Sequence, residues 1–183
     1  MKFKEKSKLA DARALERTLN RLAHEILEKS SSTEDIAIIG IRTRGEFLAK
    51  RIAKKIEEIE GVEIPVGVLD IVMYRDDFRV KHKLPAVEVT DIPFGIDNKT
   101  LILVDDVVYT GRTIRAALDA LVDFGRAAKI RLAVLVDRGH REMPIKPDYV
   151  GKNFPTADDE EIRVKVTEVD DKDEILLVQR IDE

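Results

Sequence analysis

The chain has 183 residues, 37% of them charged, and a formal net charge of −4 at pH 7. It has no cysteine, which excludes disulfides and thiolate metal sites, and its three histidines are too scattered to predict a zinc site. This length fits one domain with a full core, so we expect residues 1–183 to form a single domain.

No segment of the sequence suggests export or membrane insertion. The amino-terminal residues are charged from Lys2 onward, and no run approaches the ~18 apolar residues that span a membrane. We therefore expect a cytoplasmic protein without a membrane partner. Because the net charge is negative, nucleic-acid binding would require a local basic patch.

The first predicted element is an amphipathic helix over residues 10–29. Its apolar stripe consists of Leu15, Leu19, Leu22 and Ile26. The nearly opposite face carries a basic ridge of Arg13, Arg17, Arg21 and His24. A solvated helix face and a surface that binds phosphate both account for such a ridge.

A first strand–turn–helix unit follows this helix. Residues 36–41 form an apolar run typical of a buried strand, and residues 46–60 form a helix that ends at Gly61. Between them, residues 42–45 form a turn with two arginines. Gly45 would let the backbone of this turn approach ligand oxygen atoms closely.

A long segment separates this unit from the next one. A strand is predicted over residues 66–73, and the apolar pattern then stops until Thr100. Long segments without regular structure are uncommon inside compact domains and often cover binding sites. Residues from about 75 to 98 are therefore predicted to form a lid.

The second strand–turn–helix unit contains the strongest functional signal in the chain. Its apolar strand over residues 101–104 runs into Asp105 and Asp106, and a Thr-Gly-Arg-Thr turn at residues 110–113 opens the next helix. A further buried strand is predicted over residues 130–136. Alternating strands and helices indicate a doubly wound α/β fold with a mostly parallel sheet flanked by helices.

The carboxyl-terminal part looks less regular. A polar loop follows Asp137, and two short strands are predicted over residues 162–169 and 174–178. These pieces are too small for an independent domain.

The turn at residues 110–113 suits a phosphate group. It offers backbone N–H groups, two hydroxyls and a guanidinium beside the positive end of a helix, at the sheet edge where open α/β sheets bind ligands. Asp105 and Asp106 come just before it, where sugar hydroxyls or a hydrated Mg²⁺ would lie. With the turn at residues 42–45 on the same edge, the pattern indicates a ligand that is anionic at two ends.

Two other interpretations of this segment remain. An ordinary buried strand with a charged turn explains residues 101–104 but not the paired acids followed at once by an anion-binding turn. A glycosidase-like pair needs two carboxyl groups that face one another about 5 to 9 Å apart, whereas neighbours on a strand point to opposite faces.

Residues 101–113 resemble the phosphoribosyl-pyrophosphate (PRPP) motif of type I phosphoribosyltransferases, in which two acids precede a Thr-Gly-hydroxyl turn. Residues 42–45 resemble the pyrophosphate loop of the same enzymes. The resemblance becomes narrower at residues 74–77, 104–113, 135–142 and 151–156. These segments look like the PyrR family of pyrimidine-operon attenuation regulators, which are both uracil phosphoribosyltransferases and RNA-binding proteins. The chain departs from that family at Val108, where Leu is common, and at Asn20, where a hydroxyl is expected.

The resemblance implies a type I phosphoribosyltransferase fold with a small hood, and the reaction of uracil with PRPP to UMP and diphosphate. Mg²⁺ is the implied cofactor, held by Asp105 and Asp106 directly or through water. The implied catalytic residues are Asp105, Asp106, Arg42 and Arg44. The implied PRPP and nucleotide-binding residues are Thr43, Arg44, Tyr109, Thr110, Gly111, Arg112 and Thr113. A hood over about residues 137–160 with the carboxyl-terminal strands would cover uracil, with Asp137 and Arg138 nearest to it.

The resemblance also implies that UMP or UTP promotes binding to the pyr operon leader mRNA, which causes transcription attenuation. The implied RNA-binding residues are Arg21, His24, His140, Arg141 and Lys152. The family forms homodimers or larger homo-oligomers. DNA binding by a winged helix is not expected, because one helix before the first strand is too little for such a domain.

Three other functions are alternatives to this one. A purine phosphoribosyltransferase without RNA binding would use the same fold with another base. A PRPP-binding regulator would hold the same ligand without turnover. A scaffold role leaves the two anion-binding turns unexplained.

Overall fold

The computed structural model describes residues 2–74 and 89–181. The strands are β1 (Lys2–Ala10), β2 (Ile36–Ile41), β3 (Val66–Leu69), β4 (Thr100–Val108), β5 (Lys129–Asp137), β6 (Tyr149–Asn153), β7 (Glu160–Lys165) and β8 (Glu174–Ile181). The helices are α1 (Ala12–Glu28), α2 (Arg44–Glu60), α3 (Arg112–Leu121) and α4 (Thr167–Asp170), with 3-10 turns at Val72–Tyr74 and Val122–Phe124. Of the predicted lid, residues 75–88 lie outside the described residues.

The main sheet has the strand order β3-β2-β4-β5-β6, and its pairs are parallel. The predicted parallel α/β fold is confirmed. Every residue of β2 is buried, because an unbroken apolar strand can be covered by helices on both faces. The register pairs Gly40 with Val104, so the carboxyl ends of β2 and β4 lie next to each other.

Helices cover both faces of this sheet. On one face α1 and α2 contribute to the core, and α3 contributes on the other. The predicted apolar stripe of α1 is confirmed, since Leu15, Leu19, Leu22 and Ile26 are each at most 1% exposed. Burying each such side chain contributes about 1.5 to 3 kcal/mol before the entropy cost of ordering it. None of the helices in the described ranges combines the length and the apolar character needed to cross a membrane.

Helix α1 has a side-chain cap at its N-terminus and packs closely on β6. The carboxylate of Asp11 accepts a hydrogen bond from the Ala14 N–H at 2.8 Å, which caps the first turn. Gly151 of β6 then allows close packing, because a Cβ there would lie 2.7 Å from the Thr18 methyl group and 2.4 Å from the Leu135 carbonyl oxygen. This contact fixes α1 against the outer strand of the main sheet.

The second sheet is antiparallel, with the order β1-β8-β7. It docks on the α1 and α2 side of the core through apolar side chains of β7 and β8, including Ile162, Val164 and Ile175. Lys165 pairs in register with Glu174, and Lys8 and Lys172 also form ion pairs with that carboxylate. The small sheet is thus attached by apolar contacts and tied together by charges.

Several boundaries differ from the sequence expectation. The amino-terminal strand β1 was not predicted, because its alternating lysines give no apolar pattern. Strand β4 continues through both acids to Val108, and β3 stops at Leu69 instead of residue 73. The strand predicted over residues 162–169 ends at Lys165 and is followed by α4. Residues 149–153, placed in the polar hood, form the fifth strand of the main sheet.

Candidate active site

Two turns meet at the carboxyl edge of the main sheet. A Cβ on Gly45 would lie 2.6 Å from the Val104 carbonyl oxygen, so the start of α2 rests directly on β4. A Cβ on Gly40 would lie 2.4 Å from the Gly45 carbonyl oxygen. The missing side chain of Gly45 therefore makes room for the neighbouring strand.

The first turn presents two arginines at the start of α2, and we call it the arginine turn (residues 42–45). The helix begins at Arg44, and Thr43 occupies the N-cap position without a side-chain capping bond. The Arg42–Thr43 peptide bond is cis. Arg42 Nη1 lies 3.2 Å from the Glu46 carboxylate. Arg44 donates from Nε and Nη2 to the Asp170 carboxylate at 3.0 and 2.7 Å.

The second turn opens α3, and we call it the phosphate turn (residues 110–113). Gly111 precedes the helix at φ 91°, a conformation that favours glycine, and no side-chain bond caps the helix from that position. The hydroxyl of Thr110 accepts from the Arg112 N–H at 3.3 Å. A cavity of about 280 Å³ adjoins the turn, lined by Asp105 and residues 107–114. Since the N-cap residue Gly111 has no side chain to cap the first turn of α3, this is a suitable place for an anion.

Arg112 is paired across the phosphate turn. Its guanidinium lies 2.8 Å from the Glu142 carboxylate, and both side chains are about half exposed. The backbone N–H groups of Glu142 and Met143 both donate to the Thr110 carbonyl oxygen at 2.9 Å. The segment after β5 therefore folds back over the turn that the sequence predicts to bind phosphate.

The two acids of β4 face different cavities. Asp105 is buried and lines the cavity beside the phosphate turn, whereas half-buried Asp106 lines a second cavity with Arg44. Asp105 Oδ1 accepts the Asp106 N–H at 2.9 Å, and Asp106 Oδ1 accepts the Val107 N–H at 2.7 Å. Burial raises the pKa of Asp106, and the Val107 N–H and Arg44 oppose that rise.

The second cavity has a volume of about 450 Å³ and lies between the main sheet and β7. It is lined by Arg44, Asp106, Val107, residues 161–165 and Asp170. Both sheets therefore contribute to its walls. Since Val107 lines both cavities, they adjoin each other along the end of β4.

The predicted hood residues are engaged with their own segment. Arg138 is buried and donates to the Thr156 hydroxyl at 3.0 Å and to the Glu160 carbonyl oxygen at 2.7 Å. Its guanidinium carbon lies 4.0 Å from the centroid of the Tyr109 ring. Asp137 accepts from the Gly139 N–H at 2.9 Å. The hydrogen bonds hold this segment together, and the contact with Tyr109 connects it to the end of β4.

His140 and Arg141 lie in the same segment. The His140 ring stands edge-on to the Tyr109 ring at 6.0 Å, and its Nε2 lies 2.5 Å from the Thr156 carbonyl oxygen. Arg141 donates to the carbonyl oxygens of Tyr109 and Ile145 at 2.7 and 3.0 Å and to the Asp137 carboxylate at 2.5 Å. Arg141 therefore connects the segment to the strand that leads into the phosphate turn.

The other predicted RNA-binding residues lie on α1 and β6. Arg21 and His24 are exposed, as is the rest of the predicted ridge. Arg21 Nη2 donates to the Val150 carbonyl oxygen at 3.2 Å and also to the Gly151 carbonyl oxygen. The register pairs Lys152 with Val136, just before the segment that carries His140. Arg21, Lys152 and that segment therefore follow one another around the outer strand.

The described residues supply only some of the ligands that a divalent cation needs. Within residues 2–74 and 89–181, no group of three or more histidine, aspartate or glutamate side chains could hold a metal ion. Asp105 and Asp106 remain as two carboxylates at one strand end. This set fits Mg²⁺, which is commonly bound by one or two carboxylates and completes its shell with water and substrate phosphates.

Sequence reasoning missed two residues of the site, Glu142 and Asp170. Each is the ion-pair partner of a predicted arginine, Glu142 of Arg112 and Asp170 of Arg44. The partners are 30 and 126 residues apart in the chain, so no local pattern connects them. Only the docking of the second sheet brings Asp170 to the arginine turn.

Comparisons with known proteins agree on a single family. Residues 5–172 match the family described as the phosphoribosyl transferase domain. A relative from Roseiflexus sp. (strain RS-1), named bifunctional protein PyrR, is 59% identical over 162 residues, which cover 88% of each chain. A PyrR protein from Halalkalibacterium halodurans is 52% identical over 174 residues, covering 94% of this chain and 97% of that one.

Solved structures show the same fold at lower sequence identity. A hypoxanthine-guanine phosphoribosyltransferase from Bacillus anthracis superposes with a TM-score of 0.73 at 19% identity, covering 97% of this chain and 100% of that one. A hypoxanthine phosphoribosyltransferase from Staphylococcus aureus gives 0.63 at 19% identity, covering 82% and 78%. At this identity the likeness concerns the fold, which is that of type I phosphoribosyltransferases.

Proposed function

The chain belongs to the phosphoribosyl transferase family and, within it, to the bifunctional PyrR proteins, and from this membership we propose two activities for it. It transfers the phosphoribosyl group of PRPP to uracil, giving UMP and diphosphate. It also binds the leader mRNA of the pyr operon when a uridine nucleotide is bound, which attenuates transcription. We expect the protein to carry out both activities in the cytoplasm.

One observation carries the enzymatic proposal. The arginine turn and the phosphate turn lie side by side at one sheet edge, with Asp105 and Asp106 at the end of β4 between them. PRPP has a phosphate at one end of its ribose and a diphosphate at the other. An edge with two cationic turns and two acids between them matches that distribution of charge.

The phosphate turn would hold the 5′-phosphate. Thr110 and Thr113 supply hydroxyls, Gly111 leaves the backbone open, and the first turn of α3 supplies N–H donors. Arg112 would add a charge-assisted bond once the phosphate competes with Glu142 for it. Tyr109, at the end of β4, would form part of the wall under Arg138.

The arginine turn would hold the diphosphate, with Arg42, Arg44 and the backbone at Thr43 as donors. As the bond to the leaving diphosphate breaks, negative charge grows there and the ribose becomes positively charged. The two arginines stabilise the first charge, and the carboxylates of Asp105 and Asp106 stabilise the second. Mg²⁺ held by these acids, directly or through water, would supply further neutralisation of the diphosphate.

We place uracil under the hood formed by residues 137–160 and the carboxyl-terminal strands. The cavity beside Asp106 is bounded by β7 of the small sheet and has room for a base next to the sugar position. Asp137 and buried Arg138 would act here by holding the hood in place, because their polar groups already bond within it.

The enzymatic proposal is tested by measuring nucleotide formation from PRPP with uracil and, in parallel, with hypoxanthine. UMP formation with uracil and no product with hypoxanthine supports the proposal. Preference for hypoxanthine would replace it with a purine phosphoribosyltransferase. PRPP binding without turnover on either base would leave a regulator that senses PRPP.

The RNA proposal rests on five basic residues that the fold brings to one side of the main sheet. Arg21 and His24 on α1, Lys152 on β6, and His140 and Arg141 after β5 follow one another around the outer strand of the main sheet. Basic side chains and a histidine suit the phosphates and unstacked bases of an RNA loop. His140 and Arg141 also contact the strand that leads into the phosphate turn, which connects this surface to bound nucleotide.

The RNA surface is tested with Arg21→Glu and Lys152→Glu, measured with pyr leader RNA in the presence of UMP. Both variants should lose RNA binding while UMP formation continues. Arg13→Glu is the matched control, because it makes the same charge change on the same exposed ridge two turns away. Parent-like RNA affinity in both variants would exclude this surface.

We also expect the protein to form a homo-oligomer, which light scattering would measure.

A further inference from the structure

Arg44 is held by a residue of the small sheet. Its Nε and Nη2 donate side by side to the two carboxylate oxygens of Asp170, at 3.0 and 2.7 Å. A paired contact of this kind fixes the plane of the guanidinium as well as its distance. Asp170 lies at the end of α4, in the connection between β7 and β8, and so belongs to the other sheet.

Asp170 is itself fixed in place. Its Oδ2 also accepts the Val166 N–H at 3.0 Å, and its own N–H donates to the Val166 carbonyl oxygen at 2.7 Å. The hydrogen bond from Arg44 lowers the pKa of Asp170, and desolvation opposes that shift only in part. The carboxylate therefore stays charged at neutral pH and acts as a fixed anchor for the arginine.

Both residues line the larger cavity together with Asp106. The bonds to Asp170 use the Nε and Nη2 edge of the guanidinium and not Nη1. An arginine held along one edge can bind a second anion with another edge, and it does so without first losing side-chain freedom. The proposed function assigns the base to this cavity and the diphosphate to the arginine turn, whose Arg44 lines it.

We propose that Asp170 is a positioning residue, which holds Arg44 in the orientation that binds the diphosphate group. The inference rests on the proposed function, because it assigns the diphosphate to the arginine turn. It adds that the small sheet takes part in the reaction by aligning a group on the main sheet. Asp170 itself does not touch the reacting atoms.

The test is the Asp170→Asn variant, which keeps the shape of the side chain and removes its charge. We expect inhibition by diphosphate to weaken about tenfold, with a similar rise in the KM for PRPP, because a charge-assisted pair no longer orients Arg44. UMP lacks a diphosphate, so its dissociation constant should stay within about twofold of the parent value. A purely structural role would weaken both ligands together.

Glu168→Gln is the matched control. Glu168 forms the same side-by-side ion pair with Arg51, at 2.9 and 2.6 Å, on the same helix and from the same connection, but neither residue lines the cavity. Diphosphate inhibition should remain at the parent value in this variant. An equal loss in both variants would overturn the inference, since it would reflect weaker docking of the small sheet.

A second variant, Asp170→Glu, tests the inference if Asp170→Asn folds poorly. Asp170→Glu keeps the charge but lengthens the side chain, so Arg44 shifts and diphosphate inhibition should weaken while UMP binding persists. Parent-like diphosphate inhibition in a folded variant at this position overturns the inference alone. Failure of the parent protein to bind diphosphate or PRPP would instead remove the proposed function.

Discussion

The arginine turn and the phosphate turn occupy neighbouring strand ends, yet they are built in different ways. The phosphate turn depends on a glycine at positive φ, hydroxyls and backbone N–H groups, all within four residues. The arginine turn depends on two long side chains, and Arg44 is oriented by a carboxylate 126 residues away. A backbone site is complete when its strand and helix are formed, whereas a side-chain site also needs distant partners.

Because the two turns are built differently, a mutation in the small sheet should affect them differently. The phosphate turn should tolerate changes in the small sheet, because its donors are part of α3. The arginine turn should respond to changes in either sheet.

The largest effect is expected from Gly45→Ala. A Cβ there would lie 2.6 Å from the Val104 carbonyl oxygen, so α2 must move away from β4 and take the arginine turn with it. We expect a loss of about 3 kcal/mol in the free energy of unfolding, measured by urea denaturation. Gly95→Ala is the control, since nothing lies within 4 Å of a Cβ at that exposed position. Equal stability of the two variants would contradict the close approach.

Arg112→Ala should affect the other turn. Removing this charge-assisted contact should weaken the binding of UMP and of PRPP by about 2 kcal/mol, or roughly thirtyfold in affinity. Both ligands are affected because both carry the 5′-phosphate. Diphosphate inhibition should stay unchanged. Calorimetric titration with UMP and steady-state inhibition by diphosphate measure the two effects. If diphosphate inhibition weakened while UMP binding stayed normal, Arg112 would bind the diphosphate end of PRPP and not its 5′-phosphate.

Glu142→Gln should have the opposite and smaller effect. The Glu142 carboxylate lies 2.8 Å from Arg112, and a phosphate must compete with it. Both side chains are about half exposed, so the pair contributes only about 0.5 kcal/mol and UMP binding should tighten roughly twofold. The gain should disappear in high salt, which screens the pair in the parent protein. Weaker UMP binding would show that Glu142 supports the phosphate turn.

The small sheet offers a test by pH. Three lysines, of which Lys172 gives the largest contribution, lower the pKa of Glu174 from its ordinary value of 4.5 to about 2. The ion pairs therefore stabilise the fold above pH 4.5, and this stabilisation is lost as pH falls toward 2. Glu174→Gln should be less stable than the parent near neutral pH, by a small amount because two of the lysines are half exposed.

The two stability curves should converge as the pH approaches 2, because protonated Glu174 and glutamine are then alike in charge. Circular dichroism during urea unfolding at several pH values measures this convergence. A constant difference across the range would mean that the lysines do not control Glu174. The phosphate turn, which has no part in this cluster, should bind UMP normally in the variant at neutral pH.

Much of the main sheet could be predicted because its signals are local. The apolar runs that became β2 and β5 and the helical spacing in α1 follow from burial on one or two faces. Strand β1 could not be found in this way, because an edge strand with exposed alternating lysines has no apolar pattern. Strand β6 was missed because its few apolar residues are broken by Gly151 and Lys152.

The residue types of the candidate site could be recognised from local patterns in the chain. Two acids, a Thr-Gly-Arg-Thr turn and a second turn with two arginines follow buried strands, and parallel strands bring their carboxyl ends to one edge. The groups that hold these residues in place became visible only in the folded protein. Asp170, Glu142 and the stacking of Arg138 on Tyr109 depend on contacts between distant segments. Pairing between distant charges leaves no periodic trace in a sequence, because it is set by how the sheets dock.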